Sequence, residues 1–297
     1  MPRPVPRLWP GLAFALTGSI AFSGKAIIVK LAYRHGVDAV TLLMLRMLFA
    51  LPLFLGLAWW AGRGKPALTA RDWRVVIGLG FCGYYLASFL DFAGLAYISA
   101  SLERLILYLN PTLVLLLGLV LHGRRIGRTQ WLALGVSYIG VLSVFGTELS
   151  LQGEHVLLGA ALVFGSAVSY ACYMFFSGEE VRRLGSLRLT GLASTVACAL
   201  CIGQFLLLRP VAGLQDVAPQ VYALSVLNAT ACTFAPVILV MLGIERLGAA
   251  MAAQCGLIGP MSTILMGIVL LGEPFTPMLA VGTVLVLAGV WLLARSR

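Results

Sequence analysis

The sequence predicts an all-α integral membrane protein: ten transmembrane helices arranged as two inverted five-helix repeats around a central cavity. Three observations carry this expectation. The first is composition. The 297 residues are 60% hydrophobic and 11% charged, with a mean hydropathy of +0.98, whereas a soluble domain carries about 25% charged residues. Such a chain cannot cover itself with polar surface, so lipid is its solvent, and in lipid only helices and closed barrels satisfy every backbone group. The apolar runs are about 20 residues or longer, the length of a spanning helix rather than a ~10-residue barrel strand. The second observation is a repeat. Gly94, Pro111, Gly118, Gly123 and Gly140 find Gly243, Pro260, Gly267, Gly272 and Gly289 without a gap; 243 − 94 and 289 − 140 both give 149. Glycine and proline set backbone shape, so their coincidence says more than matched leucines would. The third is the alternation of basic residues between loops.

Taken in order, residues 1–10 form a short proline-rich basic leader. No small-residue cleavage site follows, so the first apolar run, 9–31, reads as a span rather than a removed signal peptide. Span 2 covers 38–61 and stops at the turn chemistry of Gly62 to Pro66 (GRGKP). Span 3, 73–96, is softened by Gly78, Gly80 and Gly83. Span 4, 99–122, contains Pro111 and ends at Gly123-Arg124-Arg125; span 5 follows at 128–147. Span 6, 153–177, ends on a charged stretch from Gly178 to Arg183. Span 7, 187–208, stops at Arg209-Pro210, and span 8, 219–243, contains Pro236. Span 9, 247–271, carries Gly256, Gly259, Pro260 and Gly267 and closes at Glu273-Pro274; span 10 is 276–294. The halves divide as 1–147 and 148–297.

With both termini cytoplasmic, fifteen basic residues fall on the inner side: Arg3, Arg7, Arg63, Lys65, Arg71, Arg74, Arg124, Arg125, Arg128, Arg182, Arg183, Arg188, Arg246, Arg295 and Arg297. Four fall outside: Lys30, Arg34, Arg104 and Arg209. The positive-inside rule therefore orients the chain and supports ten spans, because a missed span would scramble the alternation. Five spans per copy is an odd number, so the second copy enters the membrane from the opposite side. The basic loop after span 4 becomes Gly272-Glu273-Pro274-Phe275-Thr276 after span 9, with its charge edited as inversion demands. An inverted duplication with helix breaks at equivalent depths points to a secondary transporter.

Composition also excludes. The net charge of +10 is spread over short loops and lacks the continuous stripe that a nucleic-acid backbone needs. Cys82, Cys172, Cys198, Cys201, Cys232 and Cys255 all lie in apolar segments and read as small packing hydrophobes. The sequon at Asn228 lies inside an apolar run. His35, His122 and His155 are scattered, and no metalloprotease, hydrolase or phosphate-loop motif occurs. The expectation is no enzyme, no metal and no cofactor, with a small solute and the lipid bilayer as partners and a monomer as an adequate unit.

Charges inside spans cost about 2.5–3.5 kcal/mol each on insertion scales, so each needs a reason. They are Lys25, Arg46, Asp91, Glu103 and Arg104, with Asp91 and Glu103 the only in-span acids expected. All five fall in the outer half of the first repeat, which suits a charged outer gate in which Asp91 or Glu103 pairs with Lys25, Arg46 or Arg104; a static tether between helices is the alternative. Mid-span polar groups mark a cavity wall: Tyr84, Tyr85, Ser88, Tyr108, Asn110, Tyr170, Asn228, Thr233 and Gln254. An aromatic wall with few fixed charges suits small zwitterionic or moderately apolar solutes, and suits nucleotides poorly. Pro111, Pro236 and Pro260 each remove a backbone hydrogen bond mid-helix; with Gly83 and Gly259 they are the expected hinges, close packing by small residues being the alternative.

The segment from Ala100 through Asn110-Pro111 to Gly123 resembles the fourth helix of the drug/metabolite transporter superfamily, in its bacterial ten-helix EamA group. Gly248-Ala249-Ala250, Gly259-Pro260, Gly267 to Pro274 and Gly289-Val290-Trp291 resemble the ninth and tenth helices, and Arg46 and Lys30 match that group's usual arginine and lysine. Two positions depart: His122-Gly123-Arg124-Arg125 stands where a glutamate often ends the helix, and Lys25 where a small polar residue is usual. The resemblance covers nearly the whole chain. It implies export of small metabolites, amino acids above all and aromatic ones among them, across the bacterial inner membrane by alternating access. Drugs, other metabolites and a channel-like facilitative carrier are the competing readings. Proton coupling and facilitated diffusion stay equally open.

Overall fold

The computed structural model describes residues 8–123, 126–152, 155–247 and 249–295. Among these, nine helices are long and apolar enough to cross a membrane, and a shorter apolar helix completes a tenth crossing. They are α1 (Leu8–Tyr33), α2 (Ala39–Gly62), α3 (Ala70–Leu95), α4 (Ala100–His122), α5 (Arg128–Gln152), α6 (His155–Leu184), α7 (Ser186–Leu208), α8 (Pro219–Leu247), α9 (Ala249–Gly256 continued by Ile258–Leu271) and α10 (Pro277–Arg295). A 3-10 turn, Val211–Asp216, precedes α8. The helix starts are capped as polar chemistry dictates. The Asp38 carboxylate accepts from the Val40 and Thr41 amides, and Thr69 and Asp72 form a reciprocal capping box.

Packing repeats as the sequence does. α1 lies on α8 as α3 lies on α6, α1 lies on α9 as α6 lies on α4, and α2–α7 and α5–α10 are self-equivalent pairs. Exchanging the two five-helix halves leaves this set unchanged. The repeated glycines sit at the close approaches. A Cβ on Gly94 would strike Val163 of α6, and one on Gly243 would strike Ala15 of α1. Gly140 and Gly289 likewise lie where α5 and α10 touch backbone to backbone. Two further pairs adopt left-handed backbone at helix ends, where glycine is favoured. These are Gly36 (φ 77°) with Gly185 (φ 86°), and Gly123 (φ 60°) with Gly272 (φ 73°); 185 − 36 and 272 − 123 both give 149.

The breaks also repeat. A π-helical turn interrupts α3 at Phe81–Leu86 and α8 at Thr230–Phe234, and 230 − 81 is again 149. Helix α4 breaks between Leu107 and Asn110, just before Pro111, and α9 breaks at Leu257, just before Pro260. Released carbonyls find hydroxyls, as lipid requires. Ser169 Oγ donates to the Cys82 carbonyl at 2.7 Å, Ser166 Oγ to Ala87 at 2.7 Å and Thr233 Oγ1 to Asn228 at 2.8 Å.

Apolar side chains such as Val120, Leu207, Val269 and Val284 stand exposed on helix sides, as a lipid-solvated surface requires. Below, the face where α1 begins is the N-terminal face and the face where it ends the distal face. All six tryptophans, Trp9, Trp59, Trp60, Trp73, Trp131 and Trp291, are exposed near helix ends on the N-terminal face. Two carry an arginine over the ring, Arg63 on Trp59 at 3.6 Å and Arg295 on Trp291 at 4.0 Å.

Some expectations shift. Helix α5 runs to Gln152 rather than 147, which brings Glu148 inside a helix that was expected to end before it. Helices α6 and α8 run past 177 and 243 to Leu184 and Leu247. Arg124 and Arg125 of the basic loop lie outside the described residues, as do Arg3, Arg7 and Arg297.

Candidate functional site

A cavity of about 320 Å³ lies between the repeats, near the small end of the ~300–1,000 Å³ typical of ligand sites. Seven helices wall it. Phe22 and Lys25 come from α1; Arg46, Met47 and Phe54 from α2; Gly83, Tyr84, Ala87, Ser88 and Asp91 from α3. Arg104, Leu107, Tyr108 and Asn110 come from α4, Ser166 and Tyr170 from α6, Ser194 from α7, and Thr233 and Val237 from α8. The charged members lie in the distal half of their helices and form a ceiling. Below it the wall is largely aromatic and aliphatic, with Ser88, Asn110, Ser166 and Ser194 set among these side chains.

In the ceiling, Lys25 Nζ lies 2.5 Å from Asp91 Oδ2 and 3.3 Å from Glu103 Oε1. One ammonium thus ties α1 to α3 and α4. Glu103 is fully buried behind the wall rather than on it. The two arginines are held differently. Arg46 Nε donates to Thr233 Oγ1 at 3.1 Å, and its guanidinium sits 5.1 Å from the Phe92 ring centre. Arg104 Nη2 donates to Ser23 Oγ at 3.2 Å, with Phe22 and Tyr108 rings 5.5 and 5.6 Å away. Among the described residues no carboxylate lies within 4.0 Å of either guanidinium.

Of the nine predicted wall residues, Tyr84, Ser88, Tyr108, Asn110, Tyr170 and Thr233 line the cavity. Tyr85 does not: the π turn rotates it away, and its ring lies 5.5 Å from Phe81. Asn228 does not either. It is buried against α1, where its Nδ2 donates to the Lys25 carbonyl at 3.4 Å. The Gln254 side chain lies outside the described residues. Tyr84 and Tyr173 hydroxyls meet at 3.1 Å, with Tyr170 stacked on Tyr173 at 5.5 Å. Gly83 is required where it sits, since a Cβ would fall 2.4 Å from the Tyr173 ring.

The expected hinges converge. Tyr108, at the α4 break, donates its hydroxyl to the Gly256 carbonyl at the α9 break, at 2.5 Å. Gly259 packs against Arg104 and Tyr108, and its carbonyl accepts from Ser23 Oγ at 2.9 Å. Pro111 and Pro260 follow the two breaks directly, whereas Pro236 lies just past the π turn of α8 in continuous helix.

Sequence reasoning missed a seam at the distal face. Glu148 of α5 accepts from the Ser99 amide at 3.2 Å and from the Ser99 hydroxyl. Glu273, beyond α9, accepts from the Ala100 amide at 2.7 Å, the Ser101 amide at 3.2 Å and the Ser101 hydroxyl at 2.7 Å. Two carboxylates, one on α5 and one just beyond α9, thus satisfy the free amides that begin α4 and complement its dipole. Alongside, Lys30 Nζ donates to the Leu95 and Ile98 carbonyls at 3.3 and 2.9 Å, and Arg34 to Leu271 at 2.6 Å. Arg183 is the repeat equivalent of Arg34 (183 − 34 is 149), yet it binds Asp72 and Glu180 instead. The repeat equivalent of Glu273 is a cation, Arg124.

Comparison with known proteins agrees with this architecture. The profile of the EamA-like transporter family matches residues 9–146 and again 157–295. The uncharacterized transporter YcbK of Bacillus subtilis is 30% identical over 276 residues, 89% of this chain and 86% of its own. An uncharacterized transporter of Archaeoglobus fulgidus is 24% identical over 97% of this chain and 99% of its own. A WAT1-related protein of Arabidopsis thaliana is 29% identical over 55% of this chain and 40% of its own. One solved structure superposes with a TM-score of 0.64 at 18% identity, covering 96% of this chain and 98% of that one, which shows a shared fold. With two copies of one family's repeat spanning nearly all of it, the chain belongs to the EamA-like transporter family and is a multi-pass membrane transporter.

Proposed function

We propose that the protein exports small metabolites, amino acids first and aromatic ones among them, across the bacterial inner membrane by alternating access, as a monomer with both termini in the cytoplasm. One observation carries this reading: a cavity shared by both repeats, bounded by helices that break at equivalent depths, with a carboxylate seam across its distal face. The repeat-equivalent seam would need Arg34's counterpart, Arg183, to reach α4, and Arg183 is engaged with Asp72 and Glu180. In this reading the N-terminal face is cytoplasmic, and the cavity loads from that side. The seam opens when the Tyr108 junction bends, so that the two openings alternate. Inverted repeats supply two mirror-related openings from one architecture. The aromatic lower wall and the small volume favour amino-acid-sized solutes over nucleotides.

The test is counterflow in proteoliposomes across the twenty amino acids, with and without a pH gradient. Saturable counterflow of one or more amino acids supports the reading. Flux of amino acids without saturation or counterflow overturns the carrier mechanism. Counterflow confined to drugs or other metabolites overturns the assignment of amino acids.

A further inference from the structure

We propose that Arg46 and Arg104 form a carboxylate-binding subsite in the cavity ceiling, so that the solute is a monoanionic carboxylate, or an amino acid held by its carboxylate, on an apolar body. This rests on the carrier reading for the word solute, but the binding claim stands apart from it.

The ceiling holds three cations, Lys25, Arg46 and Arg104, and two carboxylates, Asp91 and Glu103, a formal surplus of one positive charge. Both carboxylates converge on Lys25. Among the described residues the two arginines hydrogen-bond only to hydroxyls and pack on aromatic rings, with Asp91 and Glu103 beyond ion-pair distance. Among the same residues Arg46 Nη1 and Arg104 Nε have no hydrogen-bond partner. Arg46 and Arg104 are 6% and 7% exposed. A desolvated cation without a counterion is costly within a bilayer, and here the missing counterion can enter only through the cavity that both arginines line.

The chemistry of the missing anion follows. A planar guanidinium matches a carboxylate in a two-pronged hydrogen bond. With every group in its ordinary ionised form, the one surplus charge is matched by a monoanion. Met47 beside Arg46, and Phe54, Leu107, Tyr170 and Val237 farther along the wall, offer an apolar bed, which takes a hydrocarbon or aromatic body. Asp91 Oδ1 has no partner and offers an acceptor for an α-ammonium when the solute is an amino acid.

The experiment uses the detergent-purified full chain and four probes of one shape: 3-phenylpropionate, phenylalanine, 3-phenylpropionamide and 3-phenylpropylamine. Binding is read by calorimetry and by the shift in unfolding temperature. The two carboxylates are expected to bind at least tenfold more tightly than the amide and the amine. R46Q and R104Q should each weaken the carboxylates at least tenfold and leave the amide unchanged. R46K and R104K keep the charge and guard against a folding defect; they should weaken the carboxylates several-fold through loss of the planar fork. Equal affinity for amide and acid, unchanged carboxylate affinity in folded R46Q and R104Q, or a folded wild type that binds none of the four overturns the proposal. Arginine-dependent carboxylate binding without counterflow in proteoliposomes would sink the carrier reading and leave the subsite standing.

Discussion

Lys25 is the side chain on which the ceiling turns. Its single ammonium is the paired cation of two carboxylates that are 2% and 0% exposed, so removing it leaves both without an ion-pair partner. Lys25→Met should destabilise the protein by about 3–5 kcal/mol, measured by unfolding in micelles. The triple variant with Asp91→Asn and Glu103→Gln should recover most of that loss, since no acid is then stranded; failure to recover would deny the pairing. If Lys25→Met and Asp91→Asn both leave transport unchanged, the ceiling is a tether and not a gate. Outside the spans, Asp38 is a simpler case. Burial alone would raise its carboxyl, but hydrogen bonds from the Thr41 hydroxyl and amide and from Arg209 outweigh it and hold Asp38 below its ordinary 3.8. A depressed carboxylate contributes stability above its unfolded pKa and loses it as pH falls through the folded value. Wild type should therefore lose stability more steeply than Asp38→Asn as pH falls below about 4. The in-span charges could be read from sequence because lipid makes each of them conspicuous. Glu148 and Glu273 could not, since an acid beside a loop looks like one bathed in water. Phe22, Met47, Phe54 and Val237 gave no signal at all, because a cavity-facing apolar residue has the same chemistry as a lipid-facing one.

Among the described residues, four of the ten helices are interrupted: α3, α4, α8 and α9. At the π turn of α3, Tyr173 of α6 occupies the space where a side chain on Gly83 would be. Gly83→Ala should cost about 1–3 kcal/mol by overpacking. Adding Tyr173→Leu should restore part of it, whereas Tyr173→Phe, which keeps the ring, should not; thermal midpoints of the three proteins decide this. Pro111→Ala gives α4 back an amide and should stiffen the break. Under the proposed mechanism its counterflow slows several-fold while solute affinity is unchanged, and an unchanged rate would remove Pro111 as a hinge. The breaks at Pro111 and Pro260 were foreseeable because a missing amide is a backbone fact independent of context. The π turns were not, because they arise from what packs against Gly80, Gly83 and the segment after Asn228. Tyr85 and Asn228 were assigned to the wall as mid-span polar groups; Tyr85 stands one step round from the Tyr84–Ser88–Asp91 face and packs on Phe81, and Asn228 is taken up by α1.

At the scale of the molecule, two halves with the same skeleton carry different chemistry at their mouths. The duplication was visible in the sequence because its glycines sit at contacts and left-handed helix ends, where no other residue fits. The unequal seams were not, because they depend on which carboxylate reaches which amide across the repeat boundary. Glu273→Ala frees two amides of α4 and should loosen the distal face; a cysteine placed at Ser101 should then react faster with a membrane-impermeant maleimide, and an unchanged rate would mean the seam does not hold that face shut. The gathering of all six indoles at one end has a practical outcome. Every fluorophore that dominates the near-ultraviolet emission stands in a single leaflet, so the intrinsic emission behaves as a one-sided beacon. With the N-terminal end in the cytoplasm, iodide added to right-side-out vesicles should barely dim it, while the same iodide added to inverted vesicles should dim it strongly. The reverse pattern would turn the protein over in its membrane, and export would become uptake.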